Sequence, residues 1–284
     1  MRYRTRGRPR RGSSRGLNWG RIIVGLLVAG FALISYFGSK VENPVTGEEQ
    51  YINISREQEI ALGLQAAPQM AQQFEGLHPD SDAQRLVDEI GQELVEESFV
   101  SESTYPYEFH LLADDDTVNA FALPGGQIFI TAGLLERIET EGQLAGVLAH
   151  EIGHVIGRHG AEHMAKQQLT QGLTGALVLA TYDPDDPSTQ RTAQVAALIG
   201  SLVNMKFGRD DELESDRWGV EIMAEAGYDP RSMLSVMRIL AESASGPRPP
   251  EFFSTHPNPE NRLQEIQEAI EAEFPGGVPD GLRE

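Results

Sequence analysis

No cysteine occurs among the 284 residues. That absence excludes disulfides, a cysteine nucleophile, thiolate metal ligands and a lipid-modified N-terminal cysteine, while leaving the compartment open. Acidic residues are missing from the first 21 positions, which carry eight arginines. Beyond them the balance inverts: 15 basic residues face 43 acidic ones, a formal charge of −28 against −20 for the whole chain. So acidic a body does not bind nucleic acid or anionic lipid by charge, and the excess reads as a solubility feature. Long apolar runs are scarce. Ile22–Gly38 (IIVGLLVAGFALISYFG) is uncharged over a length at the short edge of what spans a bilayer, about 17–25 residues. Trp19 and Tyr36 stand near its ends as interfacial aromatics. A small-residue cleavage site is also lacking, because Tyr36, Phe37 and Lys40 occupy its place. An uncleaved signal anchor is therefore expected, with a cleaved signal peptide as the alternative. The arginine cluster holds the N-terminus in the cytoplasm. The body then lies across a bacterial-type inner membrane, periplasmic and single-pass.

With 40% hydrophobic residues the remainder can bury a sizeable core, as one large domain or two small ones. Val41–Arg56 reads as a polar tether. Ser55 opens an amphipathic helix in which Pro68 predicts a kink or split, and a second helix begins near Asp82. The acidic residues of both are expected on solvated faces. Strands are expected at Tyr107–Leu112, Val118–Leu123 and Gln127–Thr131, the last half-buried, with a Pro124-Gly125-Gly126 turn. His110 in the first strand reads as a packed or surface histidine. A sheet here can pair an extended peptide along its edge, so Asn119, Ala120, Phe121 and Ala122 are candidate substrate-binding residues. Leu173–Ala180 and Val195–Val203 are too short to span a bilayer and read as buried core helices, or alternatively as a cover over the cleft. The intervening Asp183, Asp185 and Asp186 lack a calcium-loop pattern and read as a loop.

The chemistry is concentrated in His150-Glu151-Ile152-Gly153-His154. Apolar residues at Leu144, Leu148, Ile152, Val155 and Ile156 recur at helical spacing and predict an amphipathic helix, capped by Thr140 and Gln143 and stopped at Gly160. One turn apart, His150 and His154 share a helix side and can reach one Zn²⁺, with Glu151 beside them to take a proton from water. Two histidines leave zinc short of a third protein ligand. A histidine in H-E-x-x-H-x-x-G-x-x-H would serve, but that position is Gly160; His159 is one residue out of register and reads, with Arg158, as a helix-end cation. The other solution is a later carboxylate. In KFGRDDELESDRWG, Glu212 and Asp216 are four apart on one helix face. Glu212 can complete the ligand set, and Asp216 can accept the outer N–H of a ligating histidine. Glu214 is expected to be solvated.

The runs VNAFALPGGQIFITAGLL, LAHEIGHVIGRHG, FGRDDELESDRWG, AGYDP and FSTHPNPENRL, in that order, resemble the HtpX- and BepA-like zinc metallopeptidases, the family that includes the CAAX prenyl endopeptidases. The resemblance covers about Arg56–Ile270. It implies an α+β, mainly helical gluzincin-like domain with a small sheet. It implies one Zn²⁺ held by His150, His154 and Glu212, with Glu151 as general base. It also brings the His256-Pro257 loop to the site, where His256 could stabilise an oxyanion or coordinate zinc in a latent enzyme, the alternative being a surface histidine. Relatives differ in carrying several spans, or helical repeats after the protease domain. The expected organisation is a basic cytoplasmic segment (1–21), a transmembrane anchor (22–38), a linker (39–56), a zinc metallopeptidase domain (57–272) and a C-terminal tail (273–284). The expected function is a membrane-anchored endopeptidase for unfolded or misassembled proteins in envelope quality control. A zinc-containing, chaperone-like binding protein is the alternative, which the intact Glu151 opposes. A cytoplasmic-facing prenyl-protein protease is opposed by the arginine-rich N-terminus.

Overall fold

The computed structural model describes residues 19–181, 208–244, 250–256 and 261–284, so the apolar run at 195–203 and the acidic turn at 182–189 lie outside the described residues. The chain opens with α1 (Trp19–Phe37), long and apolar enough to cross a membrane by length and composition. Strands β1 (Lys40–Glu42) and β2 (Glu49–Tyr51) follow as an antiparallel hairpin. The expected polar tether is thus an ordered element. Its Asn43 and Gln50 are buried because their amides bond a helix end deeper in the protein. Helix α2 (Arg56–Gln73) starts on a capping box between Ser55 and Gln58. It runs unbroken through Pro68, which lies on the exposed face, where water can satisfy the carbonyl that proline frees. Helix α3 (Ser81–Glu96), capped by Asp80, buries Val87, Ile90, Gly91 and Leu94, an i, i+3, i+4, i+7 stripe.

The sheet comprises β3 (Glu108–Leu112), β4 (Ala120–Leu123) and β5 (Gln127–Thr131) in the order β3-β5-β4. β3 runs parallel to β5, with Phe109 opposite Ile128, and β4 runs antiparallel to it, with Phe121 opposite Phe129. All five β5 residues are buried, not alternate ones, because α2 and the site helix cover its two faces. Gly125 turns the chain from β4 to β5 at φ +88°, and a Cβ there would lie 2.4 Å from Ile60 Cα of α2. His110 stacks on Phe129 and bonds the Gln127 side chain, a packed histidine remote from the site.

After the short α4 (Ala132–Leu135) comes α5 (Glu141–Ile156), the centre of the molecule. Thr140 caps it by accepting from Gln143 N. Every α5 residue except Glu141 and His154 is buried, so the helix is enclosed all round instead of along one face. It ends at Gly157, and Arg158 turns the chain at φ +54°, so Gly160 lies inside the next helix and is not the stop. Helix α6 (His159–Thr181) then runs back along α1. The described chain continues with α7 (Gly208–Glu225), α8 (Arg231–Ala244), α9 (Phe252–Thr255) and α10 (Arg262–Glu273). α5 packs against α3, α7, α8 and the sheet around one core. The C-terminal residues return to it: Asp229 N donates to Arg283 O, and Arg283 pairs with Glu93 at 2.8 Å.

Candidate active site

Two helices and one loop converge. α5 presents His150, Glu151 and His154; α7 presents Glu212; and the end of α9 presents His256. The helices meet closely because Gly153 lacks a side chain: a Cβ there would lie 3.0 Å from Ser215 Cα. One ligand atom from each of His150, His154, Glu212 and His256 lies within 4.8 Å of all the others. His150 Nε2 is 3.1 Å from His154 Nε2 and 3.4 Å from Glu212 Oε2. His256 Nδ1 is 3.0 Å from Glu212 Oε1, and its Nε2 is 3.2 Å from the carbonyl oxygen of Ala120. Glu151 is fully buried, and neither of its carboxylate oxygens has a hydrogen-bond partner among the described residues. His256 Nε2 lies 3.5 Å from Glu151 Oε1.

An unbonded buried carboxylate, beside histidines and a second carboxylate crowded head to head, is costly unless a cation or water shares the site. A two-histidine, one-glutamate donor set with one more histidine in reach suits a divalent metal of the zinc type. The residues present therefore fit such an ion, with His150, His154 and Glu212 to hold it and His256 as an additional donor.

The electrostatics follow from burial and pairing. Burial pushes the Glu151 carboxyl up. Burial would lower His150, but hydrogen bonds to Asp216 and Glu212 overcome it and raise the imidazole to about 9. Desolvation drives the half-buried His154 down to about 3. Burial would raise Glu212 as well, yet hydrogen bonds from His150, His154 and His256 hold it far below the usual carboxylate range.

Behind this layer Asp216 Oδ1 lies 2.9 Å from His150 Nδ1, fixing the ring so that Nε2 faces the cluster. Arg262, at the start of α10 and only 2% exposed, was not anticipated as a site residue. Its Nε and Nη2 reach Asp216 Oδ2 and Oδ1 at 2.7 and 2.9 Å. Its Nη1 lies 3.0 Å from Glu212 Oε2, a charge contact without hydrogen-bond alignment. The only sequence signal for it was an arginine opening the helix after the His-Pro loop.

Several expectations are corrected here. His159 is not a helix-end cation: it is buried, stacks on Trp218, and its Nδ1 lies 2.8 Å from His154 Nδ1. The outer nitrogen of His154 therefore has a histidine for its partner. Glu214 is not simply solvated, because its Oε2 lies 3.3 Å from His159 Nε2. Arg158 stands at the end of α5 as expected of a helix-end cation, but its guanidinium is paired. It bonds Glu59, a buried acid of α2 where a solvated face was expected, with Nε 3.0 Å from Glu59 Oε1. These residues fold inward because the turn at Arg158 reverses the chain directly beneath the site.

A cavity of about 320 Å³ opens onto the cluster, lined among others by Phe121, Ala122, Glu151, His154 and His256. Asn119 and Ala120 lie just outside it within the strand region. Asn119 O accepts from Thr131 N, and the outward carbonyl of Ala120 is engaged by His256.

Residues 81–270 match the family model described as Peptidase family M48. The chain is 30% identical over 222 residues to the beta-barrel assembly-enhancing protease of Escherichia coli (strain K12), covering 73% of this chain and 44% of that protein. It is 31% identical over 234 residues to a putative beta-barrel assembly-enhancing protease of Vibrio cholerae, covering 80% and 47%. With the mitochondrial metalloendopeptidase OMA1 of Danio rerio it shares 29% identity over 249 residues, covering 84% and 52%. The chain thus spans about half the length of the curated relatives it matches. With an H-E-x-x-H helix, a later glutamate brought to it and a family match over two thirds of its length, the chain carries a metallopeptidase domain and belongs to peptidase family M48.

Proposed function

We propose that this chain is a membrane-anchored zinc endopeptidase that hydrolyses unfolded or misassembled proteins on the outer side of a bacterial-type inner membrane. The observation that carries the reading is Glu151: a fully buried carboxylate with no hydrogen-bond partner among the described residues, beside a cluster of four metal-type donors. In this reading His150, His154 and Glu212 hold the ion, and Asp216 orients His150 through the 2.9 Å contact to Nδ1. Zinc, when bound, polarises the substrate carbonyl and lowers the pKa of water. Glu151 accepts the proton of the attacking water and later delivers it to the leaving amine, a role its burial-raised pKa suits. Phe121 and Ala122 line the cavity on the β4 side, which supports an extended substrate laid along that strand. The name of the beta-barrel assembly-enhancing relative supports a role connected with protein assembly, and the apolar α1 supports the anchor.

His256 supports a resting state in which the site is closed. Its Nδ1 belongs to the donor cluster while its Nε2 occupies the Ala120 carbonyl on the strand edge. The test uses the full chain in detergent micelles, measuring metal content and cleavage of an unfolded protein beside Glu151→Gln. The expected result is one zinc per chain in both proteins and a loss of at least about a hundredfold in cleavage for the variant. Equal cleavage by the two proteins would remove the proposed role of Glu151. Zinc without cleavage in either would favour the holding protein.

A further inference from the structure

The run Leu173–Ala180 does not form part of the core, as its apolar character suggested. It is the second half of α6, and it packs against the anchor helix. The register is given by glycines. A Cβ on Gly25 would lie 2.7 Å from Ala176 O and 3.0 Å from Ala180 Cβ, and one on Gly172 would lie 2.7 Å from Ala32 Cβ. Rising numbers in α1 therefore meet falling numbers in α6, so the helices are antiparallel and at backbone contact. Gly25 and Ala176 are buried between them, while Leu26, Leu27, Phe31 and Ile34 of α1 are exposed.

This pairing fixes depth. If α1 crosses a bilayer, residues 25–32 lie in its hydrocarbon core, and the α6 residues beside them lie at the same level. The composition of α6 changes where that geometry requires. Glu162, Lys166, Gln167, Gln168 and Gln171 come first, and from Gly172 to Thr181 there is no charged residue, amide or histidine. Near the transition, Gln168 shares a pocket with Tyr36, whose ring stacks on Tyr51 at 4.8 Å, an aromatic pair of the kind found at a membrane surface. Past it, Leu173 and Leu179 are 37% and 47% exposed, an apolar outward face continuous with that of α1.

We infer that the C-terminal half of α6 is embedded in the lipid bilayer beside α1, its outward leucines facing acyl chains. This rests on the anchor reading of α1. From Gly172 beside Ala32 to Ala180 beside Gly25, α6 runs about 12 Å within a hydrocarbon core of about 30 Å. Close helix packing through small residues is the contact that holds when the surrounding medium is lipid and no hydrophobic force drives association. The same helix begins at His159, against His154. The cleft therefore stands only about 18 Å along α6 from the lipid surface, and polypeptides emerging from or lying on that bilayer have the readiest access to it.

The native chain has no cysteine, so single-cysteine probes need no background removal. The full chain would be reconstituted in phosphatidylcholine vesicles with brominated acyl chains, carrying a bimane label at Leu173→Cys or Leu179→Cys. Phe31→Cys on α1 and Leu62→Cys on α2 serve as references. The expected result is loss of fluorescence at 173 and 179 to about the extent seen at 31, and none at 62. Quenching at 31 but not at 173 or 179 would overturn the inference while leaving the anchor standing. No quenching at 31 would remove the anchor reading and this inference with it. Disulfides between copies at 179, without quenching, would assign the face to a second copy and overturn it as well.

Discussion

At the scale of single residues the site is a problem in charge balance, and His150 carries most of it. Its proton in the metal-free state is held to about 9, against an ordinary value of 6.5. A raised folded-state pKa stabilises the metal-free protein fully below 6.5, and that contribution fades as pH climbs through about 9. A metal must displace the same proton, so its affinity moves the other way. Zinc affinity is expected to rise by about tenfold per pH unit up to about 9, where the free-site proton leaves, and to flatten above it. Competition with a chelating dye across the range measures it, and an affinity flat in pH would show that His150 is not protonated in the free site. Arg262 supplies the remaining positive charge to Asp216 and Glu212. Arg262→Met leaves two buried carboxylates without it, at a cost of about 3–5 kcal/mol. The loss should be larger in chelator-treated protein than in zinc-loaded protein, as read by thermal unfolding of each. Of these residues, His150, Glu151, His154, Glu212 and Asp216 could be named from spacing, because helical periodicity places i and i+4 together whatever the tertiary context. Arg262 and His159 could not, since their approach depends on a turn and a packing direction that no local period encodes.

At the scale of elements, the helices and strands follow periodicity and turn chemistry: Asp80 and Ser55 cap their helices, and the Pro-Gly-Gly turn sits between β4 and β5. Burial was harder to read. β5 and α5 are enclosed on all sides, a property of what packs on them and not of their own pattern. The β1–β2 hairpin shows the same limit. A polar segment read as a tether places Asn43 and Gln50 against the last carbonyls of α5, with Asn43 Nδ2 2.7 Å from Ile156 O. These amides satisfy acceptors that every helix end leaves without an intrahelical partner. Asn43→Ala is expected to destabilise the full chain by about 1–3 kcal/mol, the cost of a buried acceptor left unmet. Because Asn43 also donates to Gln50 at 3.2 Å, the double variant with Gln50→Ala should lose less than the sum of the two single changes. Thermal unfolding in micelles gives all three values, and strict additivity would show that the amides do not act as one cap.

At the scale of the whole molecule, one helix end joins the apolar α1, the hairpin and the candidate catalytic cleft. α5 terminates on the hairpin that follows α1, Arg158 ties that end to α2 through Glu59, and α6 leaves it toward α1. The other side of the cleft is formed by α9, which is held by contacts of a different kind. Phe252 N donates to Val118 O, and His256 Nε2 engages Ala120 O, so the loop occupies consecutive outward carbonyls of the strand that an extended substrate would need. His256 Nδ1 lies 3.0 Å from Glu212 Oε1, among the metal-type donors. The hydrogen bond to Ala120 O is worth about 0.5–1.5 kcal/mol, enough to hold a closed form over an open one by up to about tenfold. His256→Ala should therefore raise cleavage of an unfolded protein by about that factor at unchanged Glu151, with zinc affinity lowered because one donor is lost. A histidine that instead stabilised the oxyanion would give the opposite result, a fall in cleavage by about a hundredfold or more with zinc affinity unaffected. The sign of the change in cleavage rate decides between them, and the zinc titration checks that decision independently.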